Sequence, residues 1–156
     1  MYHQFIINPA AGKNLDVTGL RREIEALMAE KGEGYQIDLT EAPGHAEKLA
    51  RACAEAHREP VRIYAIGGDG TLNEVVNGAA GPAHVEVACC PRGSGNDFVR
   101  LFGADAGRVR DLRELVEGEA VWMDLMECNG RLGLNICSAG LDARVCVKVA
   151  QYKKLP

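Results

Sequence analysis

The sequence has 156 residues, 47% hydrophobic and 26% charged, with a net charge of −4, the balance of a soluble globular chain with a core of its own. That mild acidity argues against a nucleic-acid binder, which needs a basic surplus to displace counterions. No stretch approaches the roughly 20 apolar residues of a membrane helix, and the first residues lack a basic flank and a long apolar run, so a cytoplasmic chain is expected.

Tyr2 to Ile7 is a short aromatic and β-branched run stopped by Asn8-Pro9, which predicts a strand. Leu20, Ile24, Leu27 and Met28 recur at helical spacing until Gly32 and Gly34. Tyr35 to Leu39 predicts a second strand. Ala46, Leu49, Ala50, Cys53, Ala54 and His57 then form the stripe of a second helix, between Pro43-Gly44 and Pro60. Val61 to Ile66 is apolar almost throughout, as a strand covered on both faces should be. Leu72, Val75, Val76 and Ala79 mark a third helix, closed by Gly78 and Gly81-Pro82. Val85 to Cys90 predicts a fourth strand. A helix is expected from about Ser94, and another over Val109, Leu112, Leu115 and Val116, with Gly118 as its C-cap.

This alternation predicts right-handed βαβ crossovers and an α/β domain over 1–118, its mostly parallel sheet covered by helices on both faces. After Gly118 the pattern changes. Val121 to Cys128 and Arg131 to Ser138 are strand-like and joined by Asn129-Gly130, a strong hairpin signal. Ala143 to Val149 suits a third strand or the start of a helix. Residues 119–156 either complete the first domain or, the favoured reading, begin a second, β-rich domain whose remainder lies outside this sequence; open strand edges there invite pairing into a homo-oligomer.

The turns carry the chemistry. Loops after parallel strands fall on one edge of the sheet, the edge where ligands bind. Asn8-Pro9-Ala10-Ala11-Gly12-Lys13 follows the first strand and is no Walker A loop, because Ile7 stands where its first glycine belongs. Gly67-Gly68-Asp69-Gly70-Thr71-Leu72-Asn73-Glu74 follows the third. Its glycines let a backbone approach a ligand, and Thr71 with Glu74 reads as a capping box at a helix start, where free amides favour phosphate. Asp69 beside such a phosphate has a use if it holds Mg²⁺ or accepts a proton, the two needs of phosphoryl transfer. Pro91-Arg92-Gly93-Ser94-Gly95-Asn96-Asp97-Phe98 follows the fourth strand, with Ser94 and Asp97 spaced as a helix start and Arg92 either a phosphate partner or a surface residue. Thr40, after the second strand, offers a hydroxyl on the same edge or an ordinary turn. The four histidines show no metal-ligand spacing, and the six cysteines, Cys53, Cys89, Cys90, Cys128, Cys137 and Cys146, read as small buried hydrophobes.

The blocks at 8–13, 67–78 and 91–98 together resemble the diacylglycerol kinase catalytic domain family, which includes bacterial lipid kinases and sphingosine kinases. Gly-Gly-Asp-Gly-Thr is shared with NAD kinases; Asn73 to Gly78 and the Gly-Ser-Gly-Asn-Asp block favour the lipid kinases. The resemblance implies a phosphofructokinase/NAD kinase-like α/β domain followed by the first strands of a β-sandwich. It implies ATP contacts at Asn8, Thr40, Gly67, Gly68, Asp69, Gly70, Thr71, Asn73 and Ser94, and Mg²⁺ managed by Asp69, Asp97 and Asp124, with Asp69 catalytic. The expected reaction moves the γ-phosphoryl of ATP to a lipid hydroxyl at a membrane surface. Family enzymes are longer, so this chain is expected to be a fragment that does not turn over alone. A kinase for a soluble substrate and a non-catalytic nucleotide-binding or assembly module remain open alternatives.

Overall fold

The computed structural model describes residues 1–141, 143–145 and 148. Its regular elements are β1 (Tyr2–Ile7), α1 (Val17–Lys31), β2 (Tyr35–Leu39), α2 (His45–Ala56), β3 (Val61–Gly67), α3 (Asp69–Ala79) and β4 (Val85–Pro91). A 3-10 segment (Asp97–Arg110), α4 (Leu112–Glu117), β5 (Met126–Cys128) and β6 (Arg131–Gly133) follow. The four long strands form one parallel sheet in the order β2-β1-β3-β4. From β1 the chain first goes outward to β2, then returns past β1 to β3. The winding reverses between β1 and β3, and a crevice opens beyond the carboxyl ends of strands at such a point.

Strand alternation divides the core between two faces. Phe5, Ile7, Tyr64, Ile66 and Cys90 point to one face, where Leu20, Ile24, Leu27 and Met28 of α1 and Leu112 and Val116 of α4 cover them. Ile6, Ile63 and Ala65 point to the other, against Ala46, Ala50 and Cys53 of α2 and Leu72, Val75, Val76 and Ala79 of α3. Every residue of β3 is buried, as its unbroken apolar run requires. Each such Val, Leu or Ile contributes about 1.5–3 kcal/mol.

The sheet's amino edge is closed by polar pairs. Buried Arg62 donates to Glu86 at 2.7 Å and to the carbonyls of Leu115 and Val116 at 2.8 and 3.0 Å, satisfying the C-terminal end of α4. Buried His3 lies 2.8 Å from the Tyr64 hydroxyl and 2.9 Å from Glu33. The Glu33 carboxylate can only accept, so Nε2 carries the hydrogen and Nδ1 receives that of Tyr64. Hydrogen bonds from the terminal amine and from His3 hold Glu33 down at about 2.

Several expectations need correction. Gly78 does not end α3 but lies within it, where a Cβ would come 2.2 Å from the Glu47 carbonyl of α2; glycine there lets two helices touch backbone to backbone. The helix expected from Ser94 is a 3-10 segment starting at Asp97 and kinked at Gly103 (φ 52°), and Val109 belongs to it rather than to α4. The hairpin strands are only three residues each, although Asn129 and Gly130 take the expected positive φ of 51° and 74°. Residues 143–145 and 148 are helical, and the rest of the 143–149 segment lies outside the described residues. Cys53 and Cys90 are buried and Cys89 half-buried, but Cys128 and Cys137 are exposed; Cys146 lies outside the described residues.

Candidate functional site

Three loops meet at the carboxyl edge, and glycine is what lets them meet. The amides of Arg92 and Gly93 both donate to the Gly67 carbonyl, at 2.7 and 3.1 Å. A Cβ on Gly93 would lie 2.5 Å from the Gly68 Cα, and one on Gly95 2.9 Å from Asp69 Oδ2. Gly12, at φ 67°, brings the first loop so close that its Cβ would sit 2.4 Å from the Arg92 carbonyl. A side chain at Gly12 or Gly93 would meet backbone and push the loops apart, while one at Gly95 would displace the Asp69 carboxylate.

The start of α3 sits at the centre. Gly68 is its N-cap and no side chain caps it, so the first-turn amides are open to a ligand. Gly70 is exposed, and a Cβ added to it would meet nothing within 4 Å. The expected capping box does not form. Thr71 is buried inside the helix, where its Oγ1 receives the Asn8 amide at 3.1 Å. Glu74 reaches α2 instead and accepts from the amides of Gly44 and Ala46 at 2.8 and 3.2 Å. Helix α3 starts three residues earlier than a Thr71 cap would place it, with Gly68, still in extended backbone, as its N-cap.

Asn8, Gly67, Gly68, Asp69, Gly70 and Thr71 thus lie together. Asn8 also closes its own loop by accepting from the Ala10 amide at 3.0 Å. Exposed Asp69 faces the third loop, with the Phe98 amide 3.5 Å from its Oδ1. Ser94 is exposed between Gly93 and Gly95, the two glycines that touch the second loop. The pairing of Ser94 with Asp97 as a helix start is not used: Asn96, at φ 52°, precedes the 3-10 segment and ties back to Gly93 through both its amide oxygen and nitrogen. Thr40 lies at the same edge, its amide donating to the Ile7 carbonyl at 2.9 Å.

Other expected residues are engaged elsewhere. The Asn73 amide donates to the Leu132 carbonyl at 3.0 Å. Asn77 donates to that carbonyl at 2.9 Å and accepts from the Leu132 amide at 2.9 Å, so α3 holds β6 as a neighbouring strand would. Arg92 spends its guanidinium on the Pro91 and Arg110 carbonyls. Asp97 is exposed and paired with Arg100 at 3.2 Å, and Asp124 is exposed. Among the described residues no three His, Cys, Asp or Glu side chains are grouped to hold a metal, so Asp69, Asp97 and Asp124 form no cage. Burial pushes the Cys89 thiol up to about 12 and that of Cys90 to about 11, so neither supplies a thiolate at neutral pH. Glu74, Asn77 and Asn96 were missed as site-building residues. Asn96, a turn-forming residue beside Ser-Gly, carried a local signal for its role, whereas the local spacing of Glu74 pointed to Thr71 rather than to α2.

The parallel α/β sheet thus brings glycine-bared backbone, an uncapped helix start and a carboxylate together at its switch point. Residues 3–128 match the model of the diacylglycerol kinase catalytic domain, and the chain belongs to that family. A diacylglycerol kinase of Staphylococcus aureus is 34% identical over 143 residues, which are 88% of this chain and 43% of the relative. The crystal structure of a diacylglycerol kinase from Bacillus anthracis superimposes with a TM-score of 0.65 at 25% identity, covering 95% of this chain and 52% of that one. The chain therefore spans about half the length of these relatives. Among the described residues no helix is long and apolar enough to cross a membrane.

Proposed function

We propose that this chain is the ATP-binding part of a lipid kinase, which transfers the γ-phosphoryl of ATP to the hydroxyl of diacylglycerol or a related lipid at a membrane surface. The carrying observation is the meeting of the second and third loops over the open start of α3, with Asp69 between them. Free amides at Gly70 and Thr71 suit the charge on a triphosphate, and they are fixed before it arrives. Ser94 and Thr40 lie on neighbouring loops of the same edge, and the Asn8–Thr71 bond keeps the first loop against α3.

The residues also fit Mg²⁺. Magnesium keeps several waters and takes one or two protein carboxylates plus substrate phosphates, so Asp69 alone is a sufficient anchor without a three-residue cage. Asp97, next in sequence to Phe98, and Asp124 are the further acidic residues assigned to this role. When bound, the ion neutralises the phosphate charge. Asp69 is the candidate carboxylate for one of two roles, anchoring this ion or taking the proton of the attacking hydroxyl. We propose that residues 1–118 form the nucleotide domain, with 119–156 opening the second, and that turnover requires residues beyond this chain.

Calorimetric titration with ATP tests this reading. Mg²⁺ should strengthen ATP binding to the unsubstituted chain, and Asp69→Asn should remove that strengthening while leaving the melting temperature unchanged. In a longer form carrying the second domain, label should pass from γ-labelled ATP to diacylglycerol vesicles and not to NAD. Transfer to NAD instead would make it a soluble-substrate kinase; binding without any transfer would make it a nucleotide-binding module.

A further inference from the structure

The start of α2 has no cap of its own. Its N-cap is Gly44, at φ 80°, which has no side chain to offer. The missing acceptor comes from Glu74 on α3, thirty residues along the chain, whose two oxygens each take one amide, those of Gly44 and Ala46. A carboxylate on two amides at the positive end of a helix is a strong, charge-assisted contact. The loop from Thr40 to Gly44 is thereby fixed at both ends: Thr40 to the Ile7 carbonyl of β1, Gly44 to Glu74. Helices α2 and α3 also touch backbone to backbone at Gly78, so the Glu74 contact joins rigid bodies rather than a mobile strap.

Glu74 lies on the same helix as the open first turn at Asp69–Thr71, a little over one turn further on. The side chain that sets the Thr40 loop is therefore carried by the helix that receives the phosphates. We propose that Glu74 is a positioning residue for nucleotide binding: it fixes the Thr40 loop relative to the glycine loop so that one ligand meets both. This rests on the nucleotide reading above. Glu74 itself touches no reacting atom.

The test uses the 156-residue chain at a temperature where every variant is folded by circular dichroism. Binding of Mg-ATP and of inorganic tripolyphosphate is measured for Glu74→Ala, Glu74→Gln, Thr40→Ala and the Glu74→Ala/Thr40→Ala double variant. Glu74→Ala should weaken Mg-ATP about tenfold, the loss of a charged hydrogen bond's worth of alignment. Tripolyphosphate, which needs only the glycine loop, should bind as before. Thr40→Ala should weaken Mg-ATP similarly, and the double variant should be no worse than either single one, because both act through one loop. Glu74→Gln keeps one oxygen acceptor and should fall between. A folded Glu74→Ala chain that binds Mg-ATP normally, that loses both ligands equally, or whose loss adds fully to that of Thr40→Ala overturns the assignment. Failure of the unsubstituted chain to bind Mg-ATP would instead overturn the nucleotide reading itself.

Discussion

The parallel sheet and the region after Gly118 handle apolar residues in opposite ways. In the sheet, Phe5, Ile6, Ile7, Ile63 and Ile66 are each fully buried, and helices made by the same stretch of chain do the covering. After Gly118, Val121 is 85% exposed, Trp122 92%, Ile136 75% and Leu141 81%. A short hairpin cannot bury such residues alone. It owes its place to α3, through Asn73 and Asn77, and to the packing of Leu125, Leu132 and Leu134 against the α2–α3 face. One region is held by its own core; the other is held by its neighbour.

The sharpest way to break that contrast is a pair of truncations. Ile24→Ala should cost about 2–5 kcal/mol in denaturant unfolding, because it leaves a cavity between α1 and the sheet. Ile136→Ala, at an exposed position, should stay within about 0.5 kcal/mol. Equal costs would show that the second region has a core after all. Asn77→Ala comes next, at about 1–3 kcal/mol for two lost bonds to Leu132. Hydrogen exchange should then speed up at the Leu132 amide while the β3 amides keep their protection; unchanged exchange at Leu132 would mean that the hairpin holds itself.

The smallest effect is a pH dependence confined to the sheet's amino edge. Burial keeps the His3 imidazole below its ordinary 6.5, with Glu33 partly opposing the shift. Below pH 6.5 the unfolded chain therefore takes up a proton that the folded chain refuses. The His3 contribution is complete above 6.5 and is lost as pH falls through the lower folded value. Glu33 adds a second loss between its ordinary 4.5 and about 2. Melting curves at pH 7.5 and 5.5 should show a drop that His3→Phe reduces; an equal drop in that variant would move the proton elsewhere.

The sequence made the sheet legible because its signals are local. Leu20, Ile24, Leu27 and Met28 are the buried stripe of α1, and Gly32 ends that helix at φ 66°. The meeting of the three loops was also foreseeable, since turns after parallel strands share an edge. What stayed hidden was the choice of partner. Thr71 and Glu74 have the spacing of a capping box, yet Thr71 pairs with Asn8 and Glu74 with α2, because Gly68 starts the helix early. Gly78 looks like a helix end until α2 is seen resting on it. Asn73 and Asn77 turn to a strand more than fifty residues away, which no short-range pattern reports.

Amide chemical shifts followed during an Mg-ATP titration test the proposed phosphate seat most directly. The largest changes should fall on Gly68, Gly70, Thr71, Gly93 and Ser94, with Thr40 moving alongside them. Changes gathered instead around His3 and Arg62 at the opposite edge, or a spectrum that does not move at saturating nucleotide, would contradict it.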